Sequence, residues 1–157
     1  MRGLLVVPLI ALLILSGCAK TTGVSGLPSG TNAALAKVVQ AESDVSAGVA
    51  AALQITTTLY SAGDLDKATA SQIAAVLATI TTANGQAIAL TKGLVTISAS
   101  QALTLQTLEA PITTALQNLV NSGLVGIKNA NTKAAITASL STLLVTLQII
   151  QGTTGGS

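Results

Sequence analysis

The chain has 157 residues, of which only 8% are charged, and its formal net charge is +2. It contains no histidine and one cysteine, which excludes histidine-based catalytic triads, ordinary zinc sites and an internal disulfide. Such a small net charge also gives no electrostatic attraction for nucleic acid or for an anionic substrate.

The first 17 residues have the pattern of a secretory signal peptide. Arg2 gives a positive start, residues 4–15 form an apolar run, and the small residues Ser16 and Gly17 follow. The apolar run is about 12 residues long, whereas a membrane-spanning helix needs about 20. We therefore interpret residues 1–17 as a cleaved signal peptide.

This signal ends at the one cysteine of the chain. The stretch Leu15-Ser16-Gly17-Cys18 resembles the lipobox of bacterial lipoprotein precursors at all four positions. The resemblance implies that the thiol of Cys18 carries a diacylglycerol, that the chain is cut between Gly17 and Cys18, and that the new amine is acylated. In Gram-negative lipoproteins an aspartate after the cysteine favours the inner membrane, so Ala19 implies the outer membrane, facing the periplasm. An ordinary secreted protein and an uncleaved helix are the alternatives.

Residues 18–30 are predicted to be a lipidated, flexible tether. The stretch AKTTGVSGLPSG, residues 19–30, is rich in glycine, serine and threonine and has no apolar periodicity. Fully extended, these residues reach at most about 40 Å. The body of the protein is therefore expected to remain close to the membrane.

Four segments with apolar residues at helical spacing follow the tether. The first covers about residues 32–61, and the second runs from about residue 66 to residue 91. The third lies between the connections 92–100 and 121–132, and the fourth covers about residues 132–150. The candidate N-caps of the first three helices are Thr31 or Asn32, Asp64 or Asp66, and Ser98 or Ser100.

Two places interrupt this helical pattern. Asn84-Gly85 could kink or break the second helix, since glycine is unfavourable inside a helix. We expect the second helix to continue to Thr91. Pro111 should either kink the third helix or mark its true start, with Glu109 nearby.

The fold class that follows is all-α. Amphipathic segments of about 20 to 30 residues joined by short polar turns predict an antiparallel four-helix up-down bundle over residues 31–150. The last residues, 151–157, are predicted to be a disordered tail.

Two pairs of carboxylates lie close together in the sequence. Glu42 and Asp44 are two residues apart on a helix, so their side chains do not face each other and do not form a catalytic pair. We expect both on a solvated face. Asp64 and Asp66 lack the remaining ligands of a calcium loop, and helix capping explains them better. We therefore predict no metal site, no catalytic residue and no cofactor besides the lipid on Cys18.

Lys128 and Lys133 bracket the last turn and are the candidate surface contacts. They could touch phosphate headgroups or an acidic partner, although two isolated lysines are more typical of a solvated loop.

The sequence thus predicts a non-enzymatic, membrane-anchored lipoprotein that acts through surface contacts in the bacterial envelope, in a structural, adaptor or blocking role. Its Ala/Thr/Gln-rich composition loosely resembles that of small lipoproteins encoded by phages and prophages. The membrane and an envelope protein are the expected partners. The alternative is a carrier that holds an apolar ligand within the helical bundle.

Overall fold

A computed structural model describes residues 27–124, 127 and 129–155. Within them the chain forms four α-helices and no strand, and a π-helical turn, Leu119–Gly123, follows the third helix. The helices are α1 (Ala33–Ser61), α2 (Lys67–Thr91), α3 (Ala99–Asn118) and α4 (Ala130–Gly155). The all-α prediction is confirmed. The predicted signal peptide and cleavage site, Cys18 and most of the tether lie outside the described residues.

Polar side chains fix the start of the first three helices. Asn32, Asp66 and Ser98 are the N-caps, and their side-chain oxygens accept hydrogen bonds from backbone N–H groups three residues later, at 2.8, 2.9 and 3.3 Å. The Ser98 cap is reciprocal, because the Gln101 side chain accepts the Ser98 N–H at 2.9 Å. One member of each predicted pair of candidate caps is therefore the observed cap.

Glycine follows the end of α1 and of α2. Gly63 has a φ of 79° and Gly93 a φ of 77°, values that place both in the left-handed region. A residue with a Cβ is strained there, so glycine ends these helices at little conformational cost. By contrast, Gly85 lies inside α2, which continues unbroken from Lys67 to Thr91 as predicted.

The four helices enclose one core. α1 packs against α2 and α4, and α3 packs against the same two helices. Large aliphatic side chains from all four fill the space between them, and those that are almost completely buried include Leu35, Ile73, Leu77, Leu105, Leu116, Leu140 and Leu147.

Buried positions recur at alternating spacings of three and four residues. In α1 this series is Leu35, Val38, Glu42, Val45, Val49, Ala52, Thr56 and Leu59. In α3 it is Ala102, Leu105, Glu109, Ile112 and Leu116. An average period of 3.5 residues is typical of helices that pack knobs into holes. The series includes polar residues, so the packing buries side chains that composition alone would place at the surface.

Pro111 lies inside α3 and does not mark its start. The capping box at Ser98 begins the helix thirteen residues earlier, which satisfies its first N–H groups. Pro111 has no N–H, so one hydrogen bond of the helix is lost at this position. Burial of Ile112 and Leu116 immediately after it keeps the segment helical.

The last helix extends past residue 150, where we predicted the tail to begin. Residues 151–155 are helical, and residues 156–157 lie outside the described part of the chain. The Thr153 hydroxyl donates to the Ile149 carbonyl at 2.8 Å, and the Gln151 amide donates to the Thr113 hydroxyl oxygen at 3.0 Å. These bonds anchor a segment whose glycines and threonines alone would favour fraying. The structure thus describes residues 151–155 as helix, and the disordered tail stays a prediction for residues 156–157.

Two glycines inside helices test how closely α1 approaches α4. A methyl group at Gly48 would lie 2.6 Å from Leu143 Cδ2, whereas one at Gly85 would meet no described atom within 4 Å. We expect Gly85→Ala to raise the free energy of unfolding by about 1 kcal/mol through helix propensity. We expect Gly48→Ala to lower the free energy of unfolding by up to about 2 kcal/mol. Overpacking against Leu143 costs about 1 to 3 kcal/mol, and the gain of about 1 kcal/mol in helix propensity offsets part of this cost.

Urea unfolding followed by far-UV circular dichroism measures both changes. Equal stabilisation by the two substitutions would contradict the close approach of α1 to α4 at Gly48.

Candidate functional site

Two glutamates lie in the core of the bundle. Glu42 on α1 is 1% exposed and Glu109 on α3 is 3% exposed. Carboxylates are almost never this deeply buried unless a cation accompanies them. The lysines that the structure describes are all exposed, and they are Lys37, Lys67, Lys92 and Lys133. The core around residues 42 and 109 therefore holds two acids and no described base.

This finding corrects the prediction for Glu42. We expected Glu42 and Asp44 on one solvated face, and only Asp44 is exposed, where it accepts a hydrogen bond from the Gln40 amide at 2.9 Å. Glu42 is buried because it falls on the three-and-four spacing of the apolar residues of α1.

Hydrogen bonds from α2 hold Glu42. The Thr91 hydroxyl donates to Glu42 Oε2 at 2.8 Å, and the Asn84 amide donates to the Glu42 backbone carbonyl at 3.0 Å. The same Asn84 amide nitrogen lies 2.8 Å from the hydroxyl oxygen of Ser46. Asn84 is therefore buried as a bridge between α2 and α1, even though it precedes a glycine in the sequence.

Glu109 has a less polar environment. Neither of its carboxyl oxygens has a hydrogen-bond partner among the described residues, and the same is true of Glu42 Oε1. The Thr113 hydroxyl donates to the Glu109 backbone carbonyl at 3.1 Å and accepts the Gln151 amide of α4. We call this group the polar core cluster, and its members come from all four helices: Glu42, Asn84, Thr91, Glu109, Thr113 and Gln151.

Burial changes the acidity of both glutamates. Removal from water raises the pKa of Glu42 from 4.5 to about 7, partly opposed by the hydrogen bond from Thr91. Removal from water also raises the pKa of Glu109 to about 8, and the nearby carboxyl of Glu42 adds to the shift. Both effects penalise the charged form, so the polar core cluster retains protons at pH values where exposed carboxyls have lost them.

Proton binding is the chemistry that these residues support. No group of three or more His, Cys, Asp or Glu that could hold a metal ion exists among the described residues. Each buried carboxyl is also sealed from solvent, which leaves no room for a substrate to contact it.

A groove of about 270 Å³ lies between α1 and α2, away from the polar core cluster. Leu53 and Tyr60 border it and are 38% and 47% exposed. The remaining lining residues are mostly small, and the groove as a whole is lined by Leu53, Thr56, Thr57, Tyr60, Lys67, Ala70, Ser71 and Ala74.

The candidate site residues from the sequence lie elsewhere. Gly17, Cys18 and Lys128 are outside the described residues, and Lys133 is exposed in the first turn of α4. Lys133 is therefore not part of the polar core cluster. Sequence reasoning missed Glu42 and Glu109 as core residues, although their place in the three-and-four spacing is visible in the sequence.

Two helices are long and apolar enough to cross a membrane, by length and composition. They are Lys67–Thr91 and Ala130–Thr153, each with a mean hydropathy of 1.5 over its most apolar window. Only 28% of each window is buried inside the bundle, so much of the apolar composition lies on the outer faces. This is a weak indication of membrane association.

Asn84→Ala tests the bridge between α2 and α1. The substitution removes the bonds to the Glu42 carbonyl and to Ser46, so we expect a loss of about 1 to 3 kcal/mol in the free energy of unfolding. Thr82→Ala is the control, because Thr82 is exposed on the same helix and bonds only to Ala78 of its own backbone. Equal effects of the two substitutions on urea unfolding would contradict the bridge.

Comparisons with protein-family models, with curated proteins and with solved structures find no match for this chain.

Proposed function

We propose that the chain is a lipid-anchored, non-enzymatic protein of the bacterial envelope that acts through surface contacts. The observation that carries this proposal is the lipobox-like stretch Leu15-Ser16-Gly17-Cys18 at the end of a short apolar run. Fatty chains on Cys18 would hold the protein at a bilayer, because each buried methylene contributes about 0.8 kcal/mol. Two or three chains make such attachment stable, whereas one alone is reversible.

The residue after the cysteine supports a location at the outer membrane. Ala19 stands where an aspartate would favour the inner membrane of a Gram-negative cell. We therefore place the protein at the outer membrane, with its body in the periplasm.

We also propose the antiparallel up-down arrangement for the body. Two hydrogen bonds and a shared groove support it. The Asn32 N–H, at the start of α1, donates to the Val95 carbonyl at 2.9 Å, and Ser46 bonds Asn84 near the middle. At the other end of α1, Tyr60 lines the same groove as Lys67. Later residues of α1 thus meet earlier residues of the segment 67–95. Short connections at 62–66 and 92–98 fit the same topology.

The surface favours a structural, adaptor or blocking role over catalysis. Its polar groups are mostly hydroxyls and amides, and the two acids with raised pKa values are sealed in the core. Large apolar side chains also reach the surface and could contact an envelope protein, and they include Leu53, Tyr60, Ile88, Val95, Leu103, Val145 and Ile149. Small phage and prophage lipoproteins, which the composition resembles, provide a model for such a role.

A second candidate function, a carrier of an apolar ligand, is favoured by the groove at Leu53 and Tyr60. The groove opens at the surface, whereas the core between the helices is filled by side chains. A carried ligand would therefore sit between α1 and α2 and not along the bundle axis.

Cys18→Ser tests the anchor in cells that make the full precursor. We expect the wild type in the membrane fraction, with a mature mass that begins at Cys18 and includes the lipid, and the variant in the soluble fraction or uncleaved. Ala19→Asp is a matched control, which should keep the lipid mass and move the protein to the inner membrane. An unmodified thiol in the wild type would contradict the proposal.

Uptake of an uncharged fluorescent naphthylamine tests the carrier. Surface-contact function predicts no saturable uptake, whereas a carrier predicts saturable uptake that Leu53→Asp abolishes. Leu103→Asp is the control, because Leu103 is 65% exposed and is not part of the groove. Tyr60, the one aromatic residue of the chain, provides an independent fluorescence signal at the groove.

A further inference from the structure

Glu42 and Glu109 are the buried titratable groups among the described residues, and they approach each other from α1 and α3. Both helices pack against α2 and α4, and the carboxyl of Glu42 is near enough to that of Glu109 to disfavour its ionisation. An ordinary core would place aliphatic side chains at these positions of the three-and-four spacing. Two acids occupy them instead, with no described base beside them.

We propose that the Glu42–Glu109 pair makes the bundle a proton-controlled switch. The protonated pair keeps the four helices closed, and loss of its protons in alkaline solution loosens the core.

The hydrogen bonding of the pair fits the protonated state. Three carboxyl oxygens, Glu42 Oε1 and both of Glu109, have no partner in the described chain. A buried carboxylate would need donors for all of its oxygens, and leaving them without donors is far more costly for a charged group than for a neutral acid. A neutral Glu42 can also donate its own O–H to Thr91, whose hydroxyl lies 3.1 Å from the Ala87 carbonyl.

The groups that face the pair cannot neutralise a negative charge. Thr91 bonds the Glu42 carboxyl, Asn84 and Thr113 bond the backbone carbonyls of Glu42 and Glu109, and Gln151 bonds Thr113. None of these four side chains ionises. Lys92 directly follows Thr91 in the sequence, but its side chain is exposed. The first ionised carboxyl therefore opposes ionisation of the second, and two charges would repel within the closed core.

The direction of the pH dependence follows from proton linkage. An unfolded chain has both groups at their ordinary pKa of 4.5, whereas the folded chain raises them to about 7 and about 8. Between these values the folded state binds more protons than the unfolded state, so stability falls as pH rises. This contribution is complete well below pH 4.5, and it is lost as pH rises through about 7 and about 8, where the two groups of the folded chain release their protons.

α3 is the helix that the switch acts on most directly. Pro111, two residues after Glu109, removes one backbone hydrogen bond, and the π-helical turn Leu119–Gly123 follows the same helix. An ionised Glu109 therefore lies in a segment with fewer helical hydrogen bonds to oppose its movement toward water.

Thermal unfolding of the mature lipidated protein in a nonionic detergent, followed by far-UV circular dichroism, tests the switch. We expect the unfolding equilibrium constant to rise by up to about tenfold per pH unit for each proton that only the folded state binds. The midpoint temperature of the wild type should thus fall between about pH 5 and about pH 8. In the double variant Glu42→Gln/Glu109→Gln it should be nearly constant, since glutamine has the shape of the neutral acid.

Asp44→Asn is the matched control, because Asp44 is an exposed carboxylate on the same helix as Glu42, and it should retain the wild-type pH dependence. Binding of an apolar dye should increase with pH in the wild type and in Asp44→Asn and remain low in the double variant. If the double variant does not fold, carbon-13 NMR titration of Glu42 and Glu109 in the wild type replaces it, and we expect both to titrate well above exposed carboxyls.

Three results would overturn the proposal. The first is a wild-type midpoint that does not change with pH, and the second is an unchanged pH dependence in the double variant. The third is restoration of the wild-type midpoint at alkaline pH by calcium or magnesium, since a cation and not a proton would then neutralise the pair.

Discussion

Desolvation of two carboxyl groups is the constraint on which the rest of the core depends. Packing with a 3.5-residue period carries positions 42 and 109 inward, whatever residues occupy them. Every described lysine is exposed to solvent, so bound protons are what can neutralise the two carboxyl groups. Hydroxyl and amide groups supply the remaining polarity of the core. Asn84 and Thr91 supply that polarity from α2 without adding charge. The proposed switch follows from this arrangement, because the polar core cluster offers donors to only part of the two carboxyl groups and no charge to balance them.

Threonine is frequent in the four helices, and its hydroxyl groups find hydrogen-bond partners within the same helix. Threonine hydroxyls along all four helices donate to the carbonyl four residues earlier, as Thr56 does to Ala52 at 2.8 Å and Thr142 to Ala138 at 3.0 Å. Each such hydroxyl is satisfied within its own helix, so it needs no partner from a neighbouring helix. Helix propensity is low for β-branched residues, which means that burial of the aliphatic stripes provides most of the stability. The surface consequently carries few charges and has little electrostatic preference for any partner.

Sequence patterns predicted the helices and their caps because these depend on nearby residues. Asn32, Asp66 and Ser98 act on N–H groups three residues away, and the break at Gly63 needs only a local change of φ. The candidate site was harder to predict, since the burial of a glutamate depends on three other helices. Because glutamate is a charged residue type, we expected Glu42 in water. Its spacing from Val38 and Val45 instead carries it into the core. The helical end of α4 was likewise missed, because the bond from Gln151 to Thr113 joins residues far apart in sequence.

The proposed anchor and the proposed switch respond to different variables, and this difference determines what a change in pH can do. Attachment through fatty chains on Cys18 depends on buried methylenes and carries no titratable group, so pH leaves it unchanged. The core, by contrast, loses stability as Glu42 and Glu109 ionise. In the proposed arrangement a tether with residues 19–30 would keep the body within about 40 Å of the bilayer. Loosened helices would therefore expose aliphatic side chains such as Leu105 and Leu116 beside the membrane, and the protein would remain attached while its surface changed from hydroxyl-rich to apolar.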